Sequence, residues 1–432
     1  MVSRYSSWSP RGTMRLMAMT ALVGSVTLSG CDLEVVNPGP IADEFLDDQG
    51  SWPAILTGSR ANLTRAMNIH ITDGALRARE LHISDVNDWN GFSFPAHIGQ
   101  PVEDAPSYLS SWNAGHAARW IAEDLLRRAG GVLDDAAFAS HPVIAQGQLW
   151  AGYANRVLGE YYCDAVFDGG PLLPNSAYFE RAEGHFTAAI ATAAASNQPT
   201  IETAARAGRA SVRVHLDDWA GAVQDAGAVQ GPFQFDMTFA TDADWRFYNA
   251  LSQSTGQTVW NTQFGDYYTQ TGDPRTPWTD NGMANSTVHP WEAGITWWVQ
   301  QKHVALSSAV RLSSWQEMRL IEAENLLRQS DMTGAMNLIS SVRQAAGVAD
   351  WPTPATLDEA WSLLKRERGI ELWLEGRRLA DLRRWDETLT PGALQPEDLG
   401  GVANGGPDLS NRVLCLPVTG TERERNENIP DS

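Results

Sequence analysis

Four stretches of this chain repeat one pattern: a helix, a short turn, then a second helix. Each pair carries an apolar face that it cannot bury alone, so the pairs must stack on one another. The first runs from about residue 143 to 165, through Gly169-Gly170-Pro171, to 178–195. The second spans 202–229, with Ala207-Gly208-Arg209-Ala210 at its centre and Asp217-Asp218-Trp219 at its turn. The third covers 315–347, where Glu322-Ala323-Glu324 precedes Asp331-Met332-Thr333-Gly334-Ala335, and the last helical region is 357–385. Small residues where helices cross, with a bulky residue after an Asp-containing turn, are the physical content of tetratricopeptide-like pairs. The repeat is degenerate, not a uniform array. The expected fold is mostly α, a tetratricopeptide-like α-α superhelix whose scaffold occupies about 112–230 and 314–386. Further helices are expected at 51–69 and 112–130 from their apolar spacing. Ser314 with Glu317, and Thr356 with Glu359, have the spacing of capping boxes.

Two segments break this rhythm. Residues 84–111 carry Gly91, Pro95, Gly99, Pro101 and Pro106, and 231–313 are rich in Gly, Pro and Trp. A long aromatic excursion inside a helical scaffold is where binding residues concentrate. The chain has 18 Trp. An exposed indole stacks on flat rings, while amides and acids beside it bond hydroxyls. On that chemistry the candidate ligand residues are Asn87, Asp88, Trp89 and Asn90 in one loop, and Tyr267, Trp278, Trp291 and Trp297 in the second region. Trp298 points away from Trp297 if the two share a strand, so at most one of them faces the ligand.

The N-terminus has three zones. Arg4, Arg11 and Arg15 form a basic start without acids, Leu16 to Leu28 is apolar but too short to span a bilayer, and Leu28-Ser29-Gly30-Cys31 follows. Small residues before a Cys form a bacterial lipobox. Residues 1–30 are therefore expected to be a signal peptide, Cys31 the lipid attachment site, and 31–50, with Asn37-Pro38-Gly39-Pro40, a tether to a single body at 51–432. Without those three arginines, 29 basic and 52 acidic side chains remain, a net charge of about −23. That balance argues against nucleic acid, whose binding needs Lys and Arg on phosphates. The two other cysteines, Cys163 and Cys415, could pair or stay separately buried.

No HExxH, GxSxG, Walker A or GxGxxG motif is present, and no metal or cofactor is expected. Glu367, Glu371 and Glu375 are spaced to share a helix face, but Arg366, Arg368, Arg377, Arg378, Arg383 and Arg384 surround them. A salt-bridged structural helix fits better than an acid/base pair.

The stretch Arg366-Glu367-Arg368-Gly369 through Glu375-Gly376-Arg377-Arg378 to Asp381-Leu382-Arg383-Arg384-Trp385 resembles the late signature helix of the SusD/RagB family. Arg319 to Glu324 with Gly334-Ala335 and Val342-Arg343, Asp273-Pro274-Arg275, and Leu416-Pro417-Val418 through Glu422, Asn426 and Ile429 are similar to further family segments, in the same order. Leu416-Pro417-Val418 departs from the usual pair of prolines. The resemblance implies a non-enzymatic nutrient-uptake lipoprotein at the outer-membrane surface. Its partner would be a SusC-type TonB-dependent transporter, over which the scaffold forms a lid. The ligand implied is a glycan, or in some members a peptide. A tetratricopeptide scaffold for outer-membrane assembly, without a small-molecule ligand, is the alternative from outside that family.

Overall fold

The computed structural model describes residues 43–84, 99, 106–241, 249–253, 256–285, 295–393 and 412–430. Cys31, the signal peptide and most of the tether lie outside them, as do Asn87, Asp88, Trp89, Asn90 and Trp291. The fold is mostly α, in tetratricopeptide-like helix pairs. α1 (Trp52–Arg77) packs on α2 (Pro106–Val132); the short α3 (Asp135–Ala139) leads into α4 (Pro142–Tyr161), which pairs with α5 (Ser176–Ala195). α6 (Pro199–His215) pairs with α7 (Trp219–Ala228), and α9 (Trp315–Arg328) with α10 (Met332–Ala345). No described helix is long and apolar enough to cross a membrane.

Small residues set the helix spacing. A Cβ on Gly208 in α6 would come within 2.5 Å of the Phe186 ring from α5, and one on Gly152 in α4 within 2.7 Å. Phe186 is fully buried between those two glycine faces. The Tyr153 hydroxyl fastens α4 to α6 through Ala204 O, and it also bonds the Ser313 hydroxyl, both at 3.1 Å. This is the close crossing that the small-residue pattern anticipated.

Both capping boxes form only in part. Ser314 Oγ and Thr356 Oγ1 accept the N3 amides of Glu317 and Glu359. The Glu317 carboxylate does not return to its cap. It accepts instead from Ser211 Oγ and Arg377. Glu359 accepts from the Ala355 amide, one residue before the cap. A buried Glu317 beside a guanidinium gains more from that partner than from a backbone amide.

The last helical region is not continuous. α11 (Leu357–Glu371) stops, Leu374 and Gly376 adopt left-handed φ of +57° and +72°, and α12 (Arg378–Glu387) starts in a new direction. Glu375 therefore lies in the turn, not on a shared helix face with Glu367 and Glu371. The excursion at 231–313 is also more ordered than its Gly and Pro content suggested. It holds a helix, α8 (Gln263–Thr271), capped by Thr262 and ended by left-handed Gly272, and several short strands.

Cys163 and Cys415 form a disulfide. It fastens the C-terminal segment, which contains α13 (Gly420–Arg425), to the end of α4, where Leu416 also exchanges backbone bonds with Tyr161 and Cys163.

Two predictions follow from this packing. Gly208→Val forces a branched side chain into Phe186 and costs about 1–3 kcal/mol in urea denaturation. Gly184→Ala, on the open face of α5 with no neighbour within 4 Å, gains about 0.5–1 kcal/mol from helix propensity. A loss at Gly184 or neutrality at Gly208 would contradict the crossing geometry. The second concerns pH. Burial lowers the pKa of His70, His116 and His303 to about 3. These rings stay neutral in the fold but take up protons when unfolded below about 6.5, so their contribution is lost as pH falls from there towards 3. Glu80 has the opposite sign: burial raises its pKa to about 7, so its contribution is present below its unfolded value and lost as pH rises through 7. Burial lowers His215 as well, and the four buried histidines outweigh the three glutamates that burial raises, Glu80, Glu322 and Glu371. The urea midpoint therefore falls between pH 6.5 and 4; a flat profile would show that the rings are not buried as described.

Candidate functional site

Short strands bring the aromatic residues of the excursion together. β1 (His82–Ile83) pairs antiparallel with β5 (Gln257–Thr258). Further small ladders join β2 (Asp164–Ala165) to β3 (Leu173–Pro174) and β4 (Gln234–Met237) to β8 (Val310–Ser314). The hairpin β6 (Trp278–Asn285) and β7 (Ile295–Gln300) lies beside β5. Thr258 Oγ1 is the hub: it donates to Thr296 O at 2.8 Å and accepts from the amides of Trp298 at 2.9 Å and Trp260 at 3.0 Å. Val259 N bonds Trp298 O.

Pairing sets the indoles. Trp278 stands opposite Gln300, so its diagonal neighbour on the same face is Trp298. Their rings stack at 4.0 Å and 8°. Trp278 Nε1–H donates to Gly265 O in α8, and Tyr268 meets Trp278 edge-on. Trp297, the next residue along β7, donates its Nε1–H to Gln257 O. Trp260 packs edge-on to buried His82. All four indoles are half-buried, and Trp278 and Trp297 are anchored through their Nε1–H groups.

Beneath them is an ionic floor. The Arg275 guanidinium holds both Asp273 oxygens, at 3.0 and 2.8 Å, and reaches Glu367 at 2.6 Å and Glu371 at 2.9 Å. Glu367 is fully buried and also accepts from Arg343 and from Trp351 Nε1, both at 2.7 Å. Burial alone would raise the Asp273 carboxyl, but Arg275 outweighs it and holds the pKa low. At Glu371 burial prevails over the Arg275 contact and the carboxyl is pushed up. These carboxylates all face guanidinium groups. Their chemistry is structural, as the arginine-rich surroundings suggested, and among the described residues no His/Cys/Asp/Glu group could hold a metal.

Of the candidate residues, Trp278 and Trp297 lie on this platform, on opposite faces of the hairpin. Trp298 covers one face of Trp278. Tyr267 is corrected: it is 2% exposed, donates its hydroxyl to Asp273 at 2.7 Å and belongs to the floor. Its place on α8, one residue from the surface ring Tyr268, was invisible without the helix. Trp260 and Trp298 also belong to the platform, and their sequence context does not single them out as ligand residues. Strand alternation separates Trp297 from Trp298 but says nothing of the stacking partner supplied by β6. Asn87 to Asn90 lie outside the described residues; before them in the sequence, the Ser84 amide bonds Gly256 O, next to Gln257.

Helix pairs carrying a small stranded insert with surface indoles define the SusD-like fold. The structure superposes on a SusD superfamily protein from Bacteroides vulgatus with TM-score 0.63 at 14% identity, covering 89% of this chain and 99% of that one. A SusD-like carbohydrate binding protein from the same species gives 0.59 at 14%, covering 88% and 97%. Surface glycan-binding protein A from Bacteroides uniformis gives 0.64 at 14%, covering 89% and 99%. No curated protein matches the sequence. Residues 226–426, which include the insert and the arginine-rich helices, match the SusD family model.

Removing one side of a buried ion pair strands the other charge, at about 3–5 kcal/mol. Glu367→Ala should cost that much by denaturant titration and should also loosen the platform, read as increased acrylamide quenching of tryptophan. Stability loss with unchanged quenching would separate the floor from the platform above it.

Proposed function

We propose that this chain captures glycans on the indole platform and passes them to a SusC-type TonB-dependent transporter, tethered to the outer-membrane surface through lipid on Cys31. The observation carrying the glycan reading is the set of half-buried indoles: Trp278 and Trp297, each held by strand pairing and an Nε1–H bond, and Trp260, held by its amide on Thr258 and its edge contact with His82. Rings held this way lose little entropy on binding, and the apolar face of a sugar stacks on them. Asn87, Asp88, Trp89, Asn90 and Trp291 are proposed as further contacts, with their amides and acid meeting sugar hydroxyls. Two structural neighbours named as carbohydrate- and glycan-binding proteins support the ligand class. The match of residues 226–426 to the SusD family supports the transporter partner and the location. The chemistry is binding, not catalysis.

The test is an array of glycans and peptides, followed by calorimetry on Trp297→Ala and Trp278→Ala. A glycan should bind, and Trp297→Ala should weaken it at least about tenfold, roughly 1.4 kcal/mol. Binding of peptides alone, or glycan binding untouched by both substitutions, would contradict the proposal. Cys31→Ser in the native cell should move the protein out of the membrane fraction; retention there would contradict the anchor.

A further inference from the structure

An open cavity of about 300 Å³ is built from elements that contribute nothing to the platform: α2, the turn at 166–170 and α13. Along α2, Trp112, His116 and Trp120 are four residues apart and share one face. Trp112 is buried and packs tilted against His116 at 4.2 Å, forming the base. Trp120 is 51% exposed, one of the few large apolar side chains left open among the described residues. A single exposed indole is unremarkable. This one sits at the mouth of a cavity with polar walls.

Those walls are fixed. Asp168 adopts a left-handed φ of +53° ahead of Gly169 at +73°. Its carboxylate accepts from Arg119 Nη2 at 2.6 Å, while its side chain stays 52% exposed. Arg119 is 2% exposed and divides its charge between Asp168 and Glu123, so Asp168 is neutralised from behind and presents oxygen outward. Across the cavity, Glu422 lies in the first turn of α13. Asn426 and Asn428 bond the carbonyls of Gly170 and Gly169, joining that wall to the turn. The Cys163–Cys415 disulfide ties the same segment to α4.

We infer that this cavity is a second saccharide site, taking one neutral sugar unit against Trp120. An apolar sugar face would lie on the indole, with hydroxyls donating to Asp168 and Glu422 and accepting from exposed Asn113. Anions fit poorly: two carboxylates line the walls and the guanidinium is already shared. A quaternary cation is usually held by several rings, and here one indole is open. The volume is at the small end of ligand cavities, which suits a single unit. The site rests on its own geometry and not on the platform.

The test uses the detergent-solubilised full chain with methyl glycosides of common neutral hexoses and pentoses as probes, read by saturation-transfer NMR and calorimetry. At least one probe should bind, weaken at least tenfold in Trp120→Ala and in Asp168→Asn, and remain unchanged in Trp297→Ala. Melting of Trp120→Ala should match the parent because the ring is exposed; if it does not, Asp168→Asn carries the comparison. Three results would overturn the site: no probe whose binding responds to either substitution, loss only in Trp297→Ala, or choline rather than a glycoside competing at Trp120. Loss in Trp297→Ala alone would still support the platform, so the two proposals fail separately.

Discussion

The structure depends on buried pairing between guanidinium groups and carboxylates around α11 and α12. Arg377 meets Glu160 of α4 at 3.0 Å and Glu317 of α9 at 2.8 Å. Arg384 holds both oxygens of Glu324, at 2.6 and 3.0 Å, and Trp385 Nε1 bonds the same carboxylate. Asp381, itself buried, is held well below the ordinary carboxylate range by Arg368 and Arg384 despite the opposing effect of burial. Each charge would be costly alone; each is paired, and all but Glu160 are also hydrogen-bonded, which is the condition for tolerating them. Apolar contacts could hold these helices together, but only directional pairs fix which helix meets which.

The same lattice reaches the binding region. Glu367 and Glu371 extend from α11 to Arg275, and Lys302, just past β7, bonds Glu375 at 2.7 Å and Trp373 O at 2.6 Å. The hairpin with its indoles is thereby fastened to the scaffold at two points. Short strands that are only marginal alone gain order from this floor. A surface rich in Gly and Pro can then present rings in fixed positions.

How much of this was legible in the sequence depended on the range of the interaction. Gly208 and the Ala residues around it announced a close helix crossing because the spacing is local. The arginine-rich stretch announced ion pairs, and its structural role was readable from the excess of guanidinium groups. Its partners Glu160, Glu317 and Glu324 were not, since pairing across the fold leaves no local trace. Strand alternation separated Trp297 from Trp298, yet the stacking of Trp298 on Trp278 depends on hairpin register. Tyr267 failed as a ligand residue because α8 was hidden among Gly and Pro, although Thr262 and Gly272 were available as its caps. The cysteine pair stayed open because two thiols 252 residues apart meet only through the fold.

The central claim is that a rigid ionic scaffold presents a pre-ordered indole platform to a glycan. Hydrogen–deuterium exchange with and without a bound glycan tests it most directly. The account predicts that added protection appears in the segments 256–271 and 295–300, while α9 to α12 exchange equally slowly in both states. Protection confined to the helical scaffold, or a broad slowing across α9 to α12 on binding, would contradict it.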